Sequence, residues 1–457
     1  MFTAGCRTDS GTETQVAQTD SKKTAVTAQS VTVTAAAVTT STLSGETAIA
    51  DNFNTASGIE QTWYGPNGRG GVAPASPDPV GAFRMLCSAG QLLKDDPLVY
   101  PGQPGASHLH QFFGNSGANA NSNYTSFRTS GGTTCGQSST PINRSAYWMP
   151  AMLDGAGNAV KPDYMNLYYK RMPASDPLNK SPDQGGIGFL TDLPNGIRFV
   201  FGYNMKTGTD GPTDVNSQNH DAITFQCWAS EDGTVGNNGV SGYYHSIAEV
   251  AAAGCPVGAR LMIVAAAPNC WDGVNLDTAD HRSHMTWSNG PMYPGEFFRA
   301  CPSDHPYVID NVEVQIAFTT DANFAAGKWH LSSDEMMPGT VPGATWHMDY
   351  WEAWSPTVKA TWHSTCINQQ LTCSSGDLGN GTQIIGGGEP NGGWTKHQLV
   401  ALSSIPGTTT TTTTPPPPTT TTTTQICPDG SVIPSTQTCP APAPTSTKPG
   451  KGRGGKK

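Results

Sequence analysis

The chain has 457 residues, a net charge of −10 and only 13% charged residues. This length allows one large domain or two ordinary ones. The negative charge argues against a nucleic-acid partner, because neutralising phosphates requires clustered Lys and Arg. A transmembrane segment is also not predicted, since no run of about 18 apolar residues occurs.

The N-terminal region, residues 1–55, is rich in Thr, Ala and Ser and poor in aromatic residues. Such a composition buries too little apolar surface to fold, so it predicts a disordered spacer. The opening MFTAGC places Gly5-Cys6 where a bacterial lipoprotein signal would end. Cys6 is therefore a candidate lipid anchor, and the alternative is a cysteine that occurs there by chance.

Residues 56–400 are predicted to form one large folded domain. Four runs of strand length are rich in Val, Ile, Phe and Tyr and are bounded by turn-forming residues. The best short helix is SIAEVAAAG, which Gly254 should end. These patterns predict a mainly β, β-sandwich-like domain with long, disulfide-tied loops and few short helices. The four runs are 197–205, 222–230, 260–268 and 312–320.

Eight of the 11 cysteines lie in this domain, and an even number is compatible with four disulfides whose pairing the sequence leaves open. None forms a CxxC pair, which disfavours a zinc knuckle. Disulfides imply an oxidising compartment, so we expect a secreted or cell-surface protein. The eight are Cys87, Cys135, Cys227, Cys255, Cys270, Cys301, Cys366 and Cys373.

The C-terminal part changes composition abruptly. Residues 401–425 are rich in Thr and Pro, which predicts an extended linker with polyproline II character. Residues 426–457 are predicted to form a small stub, which a Cys427–Cys439 bridge could close, followed by a basic tail. The stub is too short for a hydrophobic core and would depend on that bridge.

The first candidate site is SHLHQFFGN, residues 107–115. His108 and His110 are two residues apart, and on a strand this spacing puts both imidazoles on one face. Two such imidazoles could share a metal ion or a substrate anion. The alternative is that both histidines only form structural hydrogen bonds.

The second candidate site is the loop PNCWDGVNLDTADHRSHM, residues 268–285. A His–carboxylate pair provides a general base, or a metal ligand with its orienting partner. The alternative is a rigid loop held by Asx turns and by Cys270. The titratable residues in this loop are Asp272, Asp277, Asp280, His281 and His284.

Two shorter segments are secondary candidates. In CPSDHP, residues 301–306, Asp304 and His305 lie between two prolines, which suits either a pre-organised site or a plain turn. In TWHMDYWEAW, residues 345–354, His347 and Asp349 share a face if the segment is a strand. The aromatic rings of this last segment could bind a sugar face, or they could belong to the core.

Several ordered blocks together resemble the secreted domain family catalogued as domain of unknown function 1996, over about residues 80–365. The family occurs in fungi and bacteria, and some fungal members carry WSC domains associated with carbohydrate binding. The resemblance therefore implies a cell-wall or polysaccharide setting, but no reaction. The blocks include FRMLC, DPLVYPGQPGASHLHQFFGN, SAYWMP, ITFQCW, NCWDGVNLDTADHRSHM and CPSDHP, with matches at His108, His110, Asp272, Asp277, Asp280, His281, His284 and His305.

The leading hypothesis is an exported protein that acts on polysaccharide or cell-wall glycan as a hydrolase or lyase. His108, His110, Asp272, His281 and His284 would line one pocket, with Asp277 or Asp280 orienting His281. The sugar rings would be held by Trp271, Tyr350 and Trp351.

Two alternatives remain open. One is a metal-binding protein or oxidoreductase, in which His108, His110, His281 and His284 hold one divalent ion such as copper, zinc or iron. The other is a non-catalytic carbohydrate-binding or adhesive module. A pure binding module has little use for clustered Asp and His, so the loop 268–285 favours chemistry.

Overall fold

A computed structural model describes residues 43–62, 80–217, 219, 221–289, 299–388 and 397–407, with the backbone of 424–426 and 432–434. Cys6, most of the N-terminal spacer, the Thr/Pro-rich linker, the Cys427–Cys439 pair and the basic tail lie outside the described residues. The predicted domain boundaries therefore stay predictions. Among the last residues of the predicted spacer, Asp51 forms an ion pair with the buried Arg128 at 2.5 Å.

Short strands dominate the domain, which is mainly β as predicted. In chain order they are β1 (Ile59–Gln61), β2 (Gly81–Cys87), β3 (Leu92–Leu93), β4 (His110–Gly114), β5 (Ala146–Pro150), β6 (Met152–Leu153), β7 (Asn158–Lys161), β8 (Tyr164–Arg171), β9 (Phe189–Leu190), β10 (Arg198–Gly202), β11 (Ile223–Trp228), β12 (Arg260–Ala266), β13 (Cys270–Trp271), β14 (Met285–Thr286), β15 (Tyr307–Val308), β16 (Asn311–Thr319), β17 (His330–Leu331), β18 (His347–Trp351), β19 (Thr372–Cys373), β20 (Thr382–Ile384), β21 (Gln398–Ala401), β22 (Thr424–Ile426) and β23 (Val432–Pro434).

The helices are few and short. They are α1 (Tyr124–Thr129), α2 (Ile247–Ala252), α3 (Ala322–Ala325) and α4 (Pro356–Thr365), with 3₁₀ turns at Thr55–Gly58, Pro182–Gln184, Asp334–Met336, Ile367–Gln369 and Leu402–Ser404. None of the described helices is long and apolar enough to cross a membrane. The predicted helix α2 is confirmed, and Gly254 follows it with a φ of 87° that favours glycine.

Two sheets build the core. One has five strands in the order β10-β18-β5-β4-β3, and the other has six in the order β11-β12-β16-β8-β2-β19. All four predicted strands are confirmed, as β10, β11, β12 and β16. The sheets face each other through buried aromatic residues, since the Tyr147 hydroxyl of β5 lies 2.5 Å from the Tyr169 hydroxyl of β8. This is the predicted sandwich-like arrangement.

Among the described residues, four disulfides tie the loops, which confirms the prediction from the eight cysteines. They join Cys87–Cys135, Cys227–Cys255, Cys270–Cys301 and Cys366–Cys373. The Cys270–Cys301 bridge connects the 268–285 loop to the 301–306 segment. It fixes two of the predicted site segments relative to each other.

Side chains alternate across the five-stranded sheet, so each strand has one face in the sandwich and one face outside it. In β18, Tyr350 points into the sandwich and stacks on Tyr147 with ring centroids 5.1 Å apart. His347, Asp349 and Trp351 therefore share the outer face, as the spacing predicted. The outer face carries the candidate site.

Candidate functional site

Three histidines converge on the outer face of the five-stranded sheet. His110 opens β4, His108 precedes it by two residues, and His347 opens β18. The ring centroid of His108 lies 4.1 Å from that of His110 and 5.1 Å from that of His347. One ring nitrogen of each histidine lies within 4.8 Å of a ring nitrogen of the other two. The prediction that His108 and His110 share a face is confirmed, and His347 joins them from a distant part of the chain.

The local sequence explains this convergence. β18 reads HMDYW, and its aromatic residues suit a strand that packs on both faces. Gly202 of β10 pairs with His347 and has a φ of 87°. A Cβ atom at Gly202 would lie 2.8 Å from the His347 Cα, so glycine allows β10 to approach β18 here.

Backbone carbonyls fix the orientation of two of the three imidazoles. His110 Nδ1 lies 3.0 Å from the Asp95 carbonyl, and His347 Nδ1 lies 2.9 Å from the Thr345 carbonyl. A carbonyl oxygen can only accept, so Nδ1 carries the proton in both rings. Nε2 of each ring is therefore an unprotonated lone pair.

The orientation of His108 follows from Ser332. The Ser332 hydroxyl donates its single proton to the Leu109 carbonyl at 2.5 Å, so its oxygen accepts from His108 Nδ1 at 3.2 Å. His108 Nε2 is then also a lone pair, and it lies 3.3 Å from His347 Nε2. Two lone pairs facing each other at this distance repel, unless a cation lies between them.

Burial keeps these imidazoles neutral. Desolvation, followed by the neighbouring His347, lowers the pKa of His110 to about 3. Desolvation also lowers the pKa of His108 and of His347 well below the usual value, and in each a neighbouring histidine adds to this effect. Neutral imidazole is the form that binds metal ions.

Two buried aspartates complete the cluster. One ligand atom each of Asp96, His110 and Asp349 lie within 4.8 Å of one another. Neither carboxylate oxygen of Asp349, nor Nε2 of His110, has a hydrogen-bond partner among the described residues. Burial, and then the charge of Asp96, raises the pKa of Asp349 well above the usual value. A cation at this point would relieve both effects.

Asp96 is held more firmly than Asp349. Its Oδ1 accepts hydrogen bonds from the backbone N–H groups of Leu98 at 2.9 Å and Val99 at 2.8 Å. Burial nevertheless raises its pKa. The five residues form two triads that share His110, one of three imidazoles and one of an imidazole with two carboxylates, and both donor sets suit zinc, copper or iron. Each triad could hold a divalent ion. His347 and Asp349 belong to these triads, whereas the predicted metal ligands His281 and His284 do not.

A cavity of about 600 Å³ opens onto the cluster. His108, His347, Asp96 and Asp349 lie in its wall together with Asp280 and His281 from the 268–285 loop. The two best-supported candidate segments of the sequence thus meet at one cavity. The remaining wall residues are Val99, Tyr100, Ser107, Val200, Tyr203, Asn204, Met205, Lys206, Ala279, Arg282, Met336 and Met337.

His281 is the one histidine of the 268–285 loop that lines this cavity. Its Nδ1 lies 2.8 Å from the Asp277 carboxylate, and its backbone adopts a left-handed φ of 57°. Arg198 holds the other oxygen of Asp277 at 3.1 Å. Burial raises the pKa of Asp277, but His281 and Arg198 outweigh it, so the net pKa is lowered. The contact is made by Asp277 rather than by Asp280.

The whole cluster falls within one region of the chain that matches a known family. The sequence profile of the domain of unknown function DUF1996 matches residues 96–354, more than half of the chain. The chain belongs to the DUF1996 family. No curated protein and no solved structure matches it. The match begins at Asp96 and includes His347 and Asp349, so every residue of the DUF1996 cluster lies inside it.

The other titratable residues of the 268–285 loop form hydrogen bonds that stabilise the loop. Asp272 accepts from the backbone N–H groups of Val274 and Asn275 at 2.8 and 2.9 Å. Asp280 reaches the cavity wall but accepts four hydrogen bonds, from Thr278 Oγ1, Arg282 N, Ser283 N and Ser283 Oγ. Burial raises the pKa of Asp280, and these hydrogen bonds outweigh it and lower the pKa.

His284 does not reach the cavity. It is fully buried, with Nδ1 3.0 Å from the Thr278 hydroxyl and Nε2 3.0 Å from the Arg198 carbonyl. His305 contacts the Ser283 carbonyl at 2.9 Å, and Asp304 lies 3.1 Å from its Nδ1. These contacts stabilise the loop, and none of the three residues lines the cavity.

The three aromatic residues expected to hold sugar rings lie in the core. Trp271 and Tyr350 have no exposed surface, and Trp351 is only 6% exposed. A buried ring has no free face for a sugar, and the small exposed part of Trp351 lines a separate cavity beside Glu46 and Arg198. The aromatic rings that line the cavity are instead Tyr100 and Tyr203.

Sequence reasoning missed Asp96, Arg198 and Ser332. Asp96 begins the segment DPLVYPGQPGAS, which leads directly into the two histidines, and this proximity was the available signal. Nothing in the sequence marks Arg198 or Ser332. Arg198 contacts Asp277, 79 residues away, and Ser332 contacts His108, 224 residues away.

Proposed function

We propose that this DUF1996 protein is a secreted, metal-dependent hydrolase or lyase that acts on polysaccharide. The observation that carries the metal is the meeting of the His108 and His347 Nε2 lone pairs at 3.3 Å, beside the unpartnered His110 Nε2 and Asp349 carboxylate. His108, His110 and His347 would hold the ion, and Asp349, from the second triad that shares His110 and includes Asp96, would complete the site. The bound ion would supply Lewis-acid chemistry at the floor of the cavity.

His281 is proposed as the proton-transfer residue. Asp277 accepts from its Nδ1, so this ring nitrogen is protonated and Nε2 is free to accept a proton in the cavity. In hydrolysis, a water oxygen bonds to the anomeric carbon, the glycosidic C–O bond breaks, and the leaving oxygen takes the proton that His281 removed from water. In elimination, His281 removes a proton from the carbon next to the one that bears the glycosidic oxygen, a C=C bond forms as that C–O bond breaks, and the leaving oxygen takes the proton from His281.

Polysaccharide as the substrate is supported by the cavity wall. Tyr100, Tyr203, Ser107 and Asn204 have side chains that both donate and accept hydrogen bonds, as sugar hydroxyls do. Val99 and Met336 add apolar surface for the C–H faces of a sugar ring. The four disulfides support the secreted location.

An oxidoreductase is the second candidate, because the same nitrogen and oxygen donors also suit copper and iron. The identity of the metal separates the two candidates. A non-catalytic binding module is less well supported, since it needs neither the buried metal ligands nor the His281–Asp277 pair.

The test is the metal content of the purified protein, measured by mass spectrometry of the elements. We expect about one ion of zinc, copper or iron per chain in the wild type, and loss of that ion in His347→Ala. His330→Ala is the matched control, since the partly exposed His330 pairs with Glu335 outside the cluster and its loss should leave the metal in place. A wild type without bound metal, whose melting temperature a chelator leaves unchanged, overturns the proposal.

A further inference from the structure

A second cleft adjoins the cavity. It has a volume of about 470 Å³ and shares Ser107, His108 and Met336 with the first. His108 therefore lies in the common wall of two open spaces, and it is the histidine of the cluster that lines both. A blind pocket for a small molecule would instead place the cluster at its closed end.

The walls of the second cleft mix polar and apolar groups. Lys94 and Glu335 bring charged side chains, and Ser107 and Ser332 bring hydroxyls. Leu153 and Leu402 belong to, or pack against, the small hydrophobic cluster of this region and provide apolar surface. This mixture resembles the first cavity, so one ligand of repeating chemistry could lie along both.

We propose that the two spaces form one groove for an extended chain of glycosyl units, with units bound on both sides of His108. The bond that lies at the histidine cluster is then internal to the chain. This inference rests on the proposed function and names its substrate as a polymer cut within its length. Together the two volumes, about 600 and 470 Å³, slightly exceed the upper end of the range of about 300–1,000 Å³ that holds a drug-sized ligand.

A peptide fits this groove less well than a glycan. Extended peptides are commonly recognised by adding a strand to a free sheet edge. The strands that carry the cluster have no such edge, since β4 lies between β5 and β3, and β18 lies between β10 and β5. Recognition must then come from side chains, and hydroxyl, phenol and amide groups match the hydroxyl-rich rim of a sugar chain.

The experiment uses the full chain with the metal that it retains. Its migration is measured in native gels that contain a soluble β-1,3-glucan, a β-1,4-glucan, xylan, mannan, glycol chitin or a polyuronate. For each polymer that retards the protein, the rate of cleavage is then measured on the disaccharide and on the hexasaccharide of the same repeating unit. We expect retardation by at least one polymer, internal fragments as the first products, and a rate on the hexasaccharide higher by about tenfold or more, the gain from one added contact.

Three results overturn the groove. They are retardation by none of the polymers, equal rates on the two oligosaccharides, and release of only mono- or disaccharides from chain ends. Cleavage of casein by the metal-loaded protein, without action on the glycans, overturns the glycan and favours a peptide.

Variants separate the groove from the metal site. Glu335 lies in the second cleft, and its side chain is 62% exposed, so Glu335→Trp should fill the cleft without unfolding the protein. We expect its hexasaccharide rate to fall about tenfold, with the disaccharide rate and metal content unchanged. Val257→Trp is the matched control, because Val257 is 52% exposed and lies in the wall of neither space, and it should change neither rate.

Lys94→Trp on the same cleft is a second blocking variant and should behave as Glu335→Trp does. If metal is retained and the disaccharide is turned over, but both blocking variants match the wild type, only the groove is wrong. If no metal is retained, the proposed function itself is wrong.

Discussion

Two regions of the domain use the same residue types in opposite ways. In the 268–285 loop, Asp272 and Asp280 accept hydrogen bonds from backbone N–H groups of that loop. In the cluster on β4 and β18, the carboxylate of Asp349 and Nε2 of His110 are buried and have no hydrogen-bond partner among the described residues. Satisfied polar groups stabilise a loop, whereas buried groups without partners call for a ligand.

His281 connects the two regions. It belongs to the loop, yet it reaches the cavity that the cluster lines. Its neighbour three residues on, His284, has both ring nitrogens hydrogen-bonded inside the protein. The number of titratable residues in a segment therefore says less about chemistry than which of their atoms remain free.

The largest expected effect is on catalysis. In His281→Ala, the rate kcat should fall by about 10²–10⁴-fold, because proton transfer is lost, while metal content stays that of the wild type. In His284→Ala, the free energy of unfolding should fall, because two buried hydrogen bonds are lost, and kcat of the folded fraction should hold. Equal losses of kcat in the two variants would remove the distinction between these histidines.

The next effect compares two aspartates. Asp349→Asn should abolish metal binding, yet it should raise the free energy of unfolding of the metal-free protein by about 1–3 kcal/mol, because an unpaired buried carboxylate is lost. Asp272→Asn should keep metal binding and change stability by less than about 1 kcal/mol, since Asn supports the same turn. Urea unfolding with and without chelator measures both. Destabilisation of the metal-free protein by Asp349→Asn would contradict a ligand role.

The fold was largely predictable from local pattern. The segments that became β10, β11, β12 and β16 are short and rich in β-branched and aromatic residues, so their type follows from packing on a pleated surface. Helix α4 (Pro356–Thr365) was missed, because PTVKATWHST has β-branched and aromatic residues and little helical periodicity. Its burial against the sandwich through Trp362 and His363 supports it instead.

The candidate site was only half predictable. The spacing of His108 and His110, and of His347 and Asp349, places each pair on one face of a strand. The two pairs meet because β4, β5 and β18 lie side by side in the sheet. This order of strands depends on contacts between distant parts of the sequence, so local pattern does not predict it. The Asp and His content of the loop 268–285 predicted a site there, but most of these side chains form hydrogen bonds that stabilise the loop.

A smaller effect is expected at the residue that orients His108. In Ser332→Ala, the ring loses the hydroxyl that fixes the proton on Nδ1, and the affinity for metal should fall by about 10–100-fold. Ser230→Ala, on an exposed turn, is the control for loss of a hydroxyl. Competition with a chromophoric chelator measures the affinity. An unchanged affinity in Ser332→Ala would mean that the other contacts of the cluster suffice to hold His108.

The smallest effect concerns acid stability of the loop. Burial raises the pKa of Asp280, but hydrogen bonds from Ser283, Thr278 and Arg282 outweigh it, and the net pKa is lowered. A carboxyl whose folded pKa is depressed stabilises the protein above its unfolded pKa of about 3.9, and this stabilisation is lost as the pH falls toward the folded value. Asp280→Ala should thus be less stable than the wild type at neutral pH, by less than about 1 kcal/mol after solvent screening. The difference in urea midpoint should shrink as the pH is lowered below about 4. A difference that does not change with pH would mean that the charge of Asp280 contributes nothing and that its hydrogen-bond geometry alone holds the loop.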